Sequence, residues 1–120
     1  GAAFVAMHRN VYWRTAAGLE LDTGAYVRAL EEATGVAPTV LGKPSADFFA
    51  AGVAELGVDS DRVAMVGDDL DNDVLGAQHA GLRGVLVRTG KFREQLLTAS
   101  EEQPDVVIDS FADLPLLIDT

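Results

Sequence analysis

Four aspartates stand close together in the segment 67–73, GDDLDND, directly after the apolar run 63–66. Such a concentration of like charge is costly unless a metal ion or a lysine offsets it. Lys43, in an earlier Gly-Lys-Pro-Ser turn, can supply positive charge beside a predicted helix N-terminus, which favours anion binding. Carboxylates are typical ligands of Mg²⁺. The residue types and their order therefore predict a site for Mg²⁺ and a phosphoryl group.

The aspartates of this cluster are not equivalent. Asp68 and Asp69 fall where an apolar strand gives way to a helix, and ligands of open parallel sheets bind at that edge. Asp71 and Asp73, with Asn72 between them, could instead cap and solvate the helix that follows. A calcium loop of the EF-hand type is excluded, because neither possible register combines glycine at position six with glutamate at position twelve.

Composition limits the class of protein. The chain has 120 residues, 48% of them hydrophobic, which is enough for a folded domain with a core. Its net charge of −10 argues against nucleic acid or an anionic membrane as the main partner. Cysteine is absent, so disulfides and thiolate metal sites are excluded. The N-terminus resembles no signal peptide and no segment is long enough to span a membrane, so we expect a soluble cytoplasmic protein.

The elements that must position these residues alternate between strand and helix. A polar loop is expected over 98–103. The helix after Ser45, ending near Gly57, is expected to bury Phe48, Phe49, Val53 and Leu56. The spacing is that of βαβ units and predicts a doubly wound α/β layer with a parallel sheet. Strands are predicted near 4–7, 39–41, 63–66, 84–87 and 106–108, and helices over 25–33, 46–56, 72–80 and 111–118. The first of these helices is expected to be capped by Asp22 or Thr23 and to end near Gly35.

Three motifs together resemble those of the haloacid-dehalogenase (HAD) superfamily. They are GKPS at 42–45, VGDD at 66–69 followed by Asp73, and VRTGK at 87–91. The branch they resemble is class IIA, whose members carry a C2 cap, and the resemblance extends over essentially the whole chain. It implies that residues 1–42 are the closing part of an α+β C2 cap. Residues 43–120 would then form the rear half of a Rossmann-like core.

The resemblance also implies roles for individual residues. Lys43 would hold the phosphoryl group and offset its charge in the transition state. Asp68 would bind Mg²⁺, and Asp69 would act on the metal through a bound water. Asp73 would orient the lysine and the metal waters. His8 falls where the branch places a polar residue facing the substrate, although a non-catalytic histidine at the seam between cap and core fits equally well.

The nucleophile of the superfamily is missing from this sequence. HAD phosphatases use an Asp-x-Asp motif near the N-terminus, followed by a Ser or Thr motif, and neither is present. The segment 20–24, ELDTG, has glutamate at the nucleophile position and no apolar strand before it, so we interpret it as a turn and helix cap. We therefore expect the rear portion of a longer Mg²⁺-dependent phosphatase, which is inactive alone.

Such a phosphatase would hydrolyse small phosphorylated metabolites, pyrophosphate or phosphoamino acids through a phosphoaspartyl intermediate. A core without its early strands would expose a sheet edge and apolar helix faces. We therefore expect self-association or pairing with the missing half.

Two other functions fit parts of the sequence. A signalling receiver domain also combines an acidic pocket, a lysine and a doubly wound sheet. Its acidic pair comes first and its lysine last, whereas here Lys43 precedes the aspartates. A non-catalytic binding or assembly module derived from a phosphatase would explain the absent nucleophile, but so would a missing N-terminal half.

Overall fold

The computed structural model of the chain describes residues 1–118. Its first part is a small α/β unit in which one helix connects two parallel strands. Strands β1 and β4 pair in parallel, and β2 and β3 form an antiparallel hairpin between β1 and the helix. The elements of this part are β1 (Val5–Ala6), β2 (Tyr12–Thr15), β3 (Gly18–Leu21), α1 (Thr23–Thr34) and β4 (Thr39–Val40).

Helix α1 has the ends that the sequence predicts. The Asp22 carboxylate accepts a hydrogen bond from the Thr23 N–H at 2.7 Å. Gly35 ends the helix in the left-handed region, with φ of 67°. The interpretation of segment 20–24 as a turn and cap is confirmed for Asp22 but wrong for Glu20, which lies within β3 opposite Trp13. That residue pairs in the hairpin because the turn occurs earlier, before Gly18.

The second part is a parallel three-stranded sheet with order β5-β6-β7, covered by helices. It confirms the predicted α/β fold with parallel strands. A π-helical segment, Leu70–Leu75, follows β5 and continues directly into α3. The remaining elements are α2 (Ala46–Leu56), β5 (Ala64–Gly67), α3 (Gly76–His79), β6 (Arg83–Val87), α4 (Glu94–Ala99), β7 (Val106–Ile108) and α5 (Pro115–Ile118), with 3₁₀ turns at Ser60–Arg62 and Phe111–Asp113.

Apolar side chains on both faces of this sheet form the core. One cluster joins the π-helical segment, β6 and α4, and a second joins α2, α3 and the residue before β6. A third lies on the opposite face of the sheet. Their buried members are Leu70, Val74, Leu75, Leu86 and Leu97, then Phe49, Ala77 and Leu82, then Val85, Val87 and Ile108. This packing fixes the end of β5, from which the acidic cluster emerges.

Several predicted boundaries are wrong. The helix predicted over 72–80 begins at Leu70 as π-helix, with the Val74 N–H donating to the Asp69 carbonyl. Helix α4 occupies the start of the predicted loop 98–103, and its six residues are too few to show a period. The helix predicted over 111–118 is divided into a 3₁₀ turn and α5. Pro115 suits the first position of a new helix because it has no N–H.

The predicted buried face of α2 is correct only in part. Phe49 is buried and Val53 packs partly against the same cluster. Phe48 and Leu56 are instead exposed, at 42% and 62%. Within the described residues, α2 packs mainly against α3, so a single stripe of its surface is covered. Of the helices in residues 1–118, none combines the length and apolar character needed to cross a bilayer.

Candidate active site

The candidate site lies at the carboxyl edge of the parallel sheet. Residues 64–67 of β5 pair in register with residues 83–86 of β6, so both strands deliver their following loops to the same edge. Asp68 and Asp69 follow β5, and Lys91 lies in the loop after β6. This is the edge at which open α/β sheets bind ligands.

Lys43 and Asp73 form an ion pair across thirty residues of sequence. The Lys43 Nζ atom donates to Asp73 Oδ1 at 2.6 Å. The other oxygen, Oδ2, accepts from the Asp69 N–H at 3.3 Å. Gly67 is required here because a Cβ at that position would collide with the Asp73 carboxylate. Lys43 is thereby tied to the backbone of the acidic cluster.

Lys91 contacts both of the aspartates that follow β5. Its backbone N–H donates to Asp68 Oδ2 at 2.9 Å, and its Nζ atom lies 3.2 Å from Asp69 Oδ2. Gly90 makes this approach possible, with φ of 47° and Asp68 Oδ2 where a Cβ would lie. The loop after β6 therefore fixes the orientation of both carboxylates.

The Asp69 carboxylate is held in its charged form. Burial raises the pKa of Asp69, but hydrogen bonds from the Asn72 side chain and backbone, and from Lys91, lower it more. The net pKa lies below the ordinary value. Asn72 donates its backbone N–H to Oδ1 and its side-chain amide to Oδ2, each at 3.0 Å.

Two contacts join the first part of the chain to this edge. The Asn72 side-chain amide also donates to Asn10 Oδ1 at 2.8 Å. The Lys91 Nζ atom lies 5.5 Å from the centre of the Tyr12 ring, a cation–π contact. Gly24 holds the Asn10 segment in place, because its N–H donates to the Asn10 carbonyl and its Cα lies against the backbone of Arg9.

A cleft of about 520 Å³ opens between the two parts of the chain. Its volume suits a small ligand. One wall comes from residues 9–12 and from Arg28 of α1, and the other from residues 68–72 and the loop after β6. Its charged and amide-bearing lining residues are Arg9, Asn10, Arg28, Asp68, Asp69, Asp71, Asn72, Lys91 and Arg93.

The structure brings most of the predicted site residues together. Lys43 pairs with Asp73, and Asp68 and Asp69 share Lys91 as a partner. His8 is placed differently: its Nε2 atom lies 3.7 Å from Asp22 Oδ1, and the histidine does not line the cleft. Its role in substrate binding stays a prediction.

Sequence reasoning assigned no role to Asn10, Tyr12 or Lys91, and it treated Asn72 only as a helix cap. Lys91 follows a predicted strand and could have been placed at this edge. Asn10 and Tyr12 carry no local signal, because their proximity to the cluster depends on how the two parts pack.

The donor set at the end of β5 fits Mg²⁺ in part. Within residues 1–118, Asp68 Oδ1 accepts no hydrogen bond, so a carboxylate oxygen remains for a cation. Both oxygens of Asp69 are already engaged by Asn72 and Lys91. No group of three or more carboxylate, imidazole or thiol side chains with the arrangement of a metal site occurs in the described chain. Mg²⁺ commonly uses one or two protein carboxylates and completes its shell with water and phosphate oxygens.

Comparison with known proteins identifies the family. A family model described as HAD-hydrolase-like matches residues 40–114. The chain belongs to this HAD-like family. The match includes Lys43, Asp68, Asp69 and Asp73, whereas the cleft wall formed by residues 9–12 and Arg28 lies outside it.

Relatives and solved structures agree with this assignment. The human phospholysine phosphohistidine inorganic pyrophosphate phosphatase is 40% identical over 109 residues, which cover 91% of this chain and 39% of that protein. The p-nitrophenyl phosphatase from Archaeoglobus fulgidus superimposes with a TM-score of 0.85 and 31% identity, over 96% of this chain and 46% of that one.

A magnesium complex of a glycerol phosphate phosphatase from Mycobacterium tuberculosis gives a TM-score of 0.82 and 33% identity, over 95% of this chain and 35% of that one. This HAD-like chain therefore has the α/β fold of HAD phosphatases. It spans less than half the length of the relatives it matches.

Proposed function

We propose that this chain carries the phosphoryl- and Mg²⁺-binding part of a HAD phosphatase. The observation that carries the proposal is the Lys43–Asp73 ion pair, thirty residues apart and hydrogen-bonded to the backbone of Asp69. The family match and the phosphatases among the relatives support it. On this proposal residues 43–120 belong to the catalytic core, residues 1–42 belong to a C2 cap, and the protein is cytoplasmic.

The proposed chemistry follows from charge and position. The Lys43 ammonium group, oriented by Asp73, would neutralise equatorial phosphoryl oxygens as charge redistributes in the transition state. Asp68 would hold Mg²⁺ through its free oxygen, and Asp69 would bind a water of that ion. Bound Mg²⁺ supplies further neutralisation of phosphoryl charge. The Lys91 loop keeps both carboxylates in place through the hydrogen bonds described above.

The substrates we propose are small phosphorylated metabolites, pyrophosphate or phosphoamino acids. The size of the cleft supports a small substrate, and the name of the human relative includes phosphoamino acids and pyrophosphate. We further propose that hydrolysis passes through a phosphoaspartyl intermediate whose aspartate lies outside this sequence. The 120-residue chain alone would then bind its ligands without turning them over.

Isothermal titration calorimetry, in which inorganic phosphate is added to the chain with and without MgCl₂, tests the proposal. We expect Mg²⁺-dependent binding that Lys43→Met and Asp68→Ala each abolish. Asp59→Asn is the matched control, since Asp59 is exposed, lies before the start of β5 and does not line the cleft. Phosphate binding that survives both of the first two substitutions would contradict the proposed site.

A separate activity assay tests whether the chain alone can hydrolyse a substrate. The purified chain should show no Mg²⁺-dependent hydrolysis of p-nitrophenyl phosphate. Robust turnover that disappears in Asp68→Ala would show that the chain is a complete enzyme and would overturn the proposal that its nucleophile lies elsewhere.

A further inference from the structure

The cleft contains cationic side chains from both of its walls. Arg9 and Arg28 come from the first part of the chain, and Lys91 and Arg93 come from the loop after β6. The cleft lining carries these four cations and three aspartates, so it is close to neutral in a protein whose net charge is −10.

Three of the four are engaged within the protein. Arg9 forms an ion pair with Glu31. Lys91 pairs with Asp69 and lies against the Tyr12 ring. The Arg93 guanidinium donates to the Phe92 carbonyl at 2.7 Å and to the Gly90 carbonyl at 3.5 Å.

Arg28 differs from these three. Over residues 1–118 its guanidinium forms neither an ion pair nor a hydrogen bond with another side chain or with the backbone. Glu31 and Glu32 line a shallow groove beside it, yet neither lies within ion-pair distance of the guanidinium. Arg28 is therefore an exposed cation, free to bind a ligand, on the wall opposite the acidic cluster.

We propose that Arg28 is a specificity-determining residue that binds a second anionic group of the substrate. The ligand would be a small phosphorylated compound with a carboxylate or a further phosphate at its other end. Its phosphoryl group would lie toward Asp68, and its second anion would form a forked pair of hydrogen bonds with the guanidinium. This proposal rests on the proposed function, because it requires the phosphoryl group to bind at the opposite wall.

Several features of the site agree with such a ligand. Arginine presents parallel N–H donors that match a carboxylate or phosphate. Arg28 sits on α1, whose ends are both capped, so the side chain extends from a well-formed helix. Asp69 and Asp71 line the facing wall and would repel a second anionic group, so that group binds more favourably near Arg28.

The test uses unreactive phosphonates in matched pairs. Phosphonoacetate is compared with ethylphosphonate, phosphonopropionate with propylphosphonate, and phosphonobutyrate with butylphosphonate, so each pair differs by a carboxylate in place of a methyl group. Affinities are measured by isothermal titration of the chain in MgCl₂. For at least one pair, we expect the carboxylated member to bind about fivefold more tightly, as for one solvent-exposed charged contact of about 1 kcal/mol.

Arg28→Gln should abolish this preference, so that the two members of each pair bind with equal affinity. Arg14→Gln is the control, since Arg14 is also exposed but lies on β2 and does not line the cleft. Far-ultraviolet circular dichroism checks that each variant remains folded.

The outcomes separate this inference from the function on which it rests. Equal binding of both members of every pair, or a preference that survives in Arg28→Gln, would overturn the role of Arg28 alone. Failure of every phosphonate to bind, or binding that Lys43→Met leaves intact, would overturn the phosphoryl site and this inference with it.

Discussion

The Asp68 carboxylate accepts a hydrogen bond from the Lys91 backbone N–H at 2.9 Å. Gly90 allows this contact, because a side chain at that position would collide with the carboxylate. The contact joins the loops that follow two neighbouring parallel strands. It engages Oδ2 of Asp68, while Oδ1 accepts no hydrogen bond from the described residues. The orientation of the proposed metal ligand therefore depends on a backbone contact that truncation of the Lys91 side chain to alanine does not remove.

Gly90→Ala should destabilise the protein by about 2–3 kcal/mol. Part of this loss is the cost of a left-handed conformation for an L-residue, about 1–2 kcal/mol, and the rest comes from the collision with Asp68. Urea unfolding measures the change. Gly35→Ala, at φ of 67° with open space around it, isolates the conformational cost, so an equal loss at both positions would refute the collision.

Lys43→Met should lower the free energy of unfolding by about 2 kcal/mol. The substitution leaves the Asp73 side chain, which is 9% exposed, as a nearly buried carboxylate without its partner. Lys43 itself is 33% exposed, so the loss is smaller than for a fully buried pair. The double variant with Asp73→Asn should recover part of the stability in a double-mutant cycle. Additive losses would show that the two residues do not interact.

Mg²⁺ should raise the melting temperature of the chain, because an ion that binds only the native state stabilises that state. Asp68→Ala should remove this effect. Asp59→Asn should keep it, since Asp59 is exposed, lies before the start of β5 and does not line the cleft. Differential scanning fluorimetry across a MgCl₂ titration measures the shift. An unchanged shift in Asp68→Ala would place the ion elsewhere.

Acid unfolding should depend on Asp69. The pKa of Asp69 is lowered in the folded state, so its contribution to stability is fully present above the unfolded value of about 3.8 and is lost as the pH falls through the lower folded value. Asp69→Asn should therefore flatten the fall in unfolding free energy below about pH 4. Denaturant unfolding at a series of pH values measures the slope, with Asp71→Asn as the control. A slope identical to the parent's would contradict this assignment.

Much of the fold could be predicted from local sequence. Apolar runs predicted strands β5, β6 and β7, and Asp22 with Gly35 predicted both ends of α1. Helix α4 was missed because six residues are too short to show a period. The exposure of Phe48 could not be predicted, since the apolar face of a helix does not show how much of that face a neighbouring element will cover.

The sequence by itself determined the chemistry of this protein: four clustered aspartates that require positive charge, a lysine to supply it, and the motifs of the HAD-like family. The family resemblance already implied that Asp73 orients Lys43. Only the tertiary structure decided the other contacts: Lys91 binds Asp68 and Asp69, His8 lies beside Asp22, and Arg28 lines the cleft without a partner among the described residues. Residue type fixes what a group can do, whereas its partner is fixed by long-range packing, which short sequence patterns do not encode.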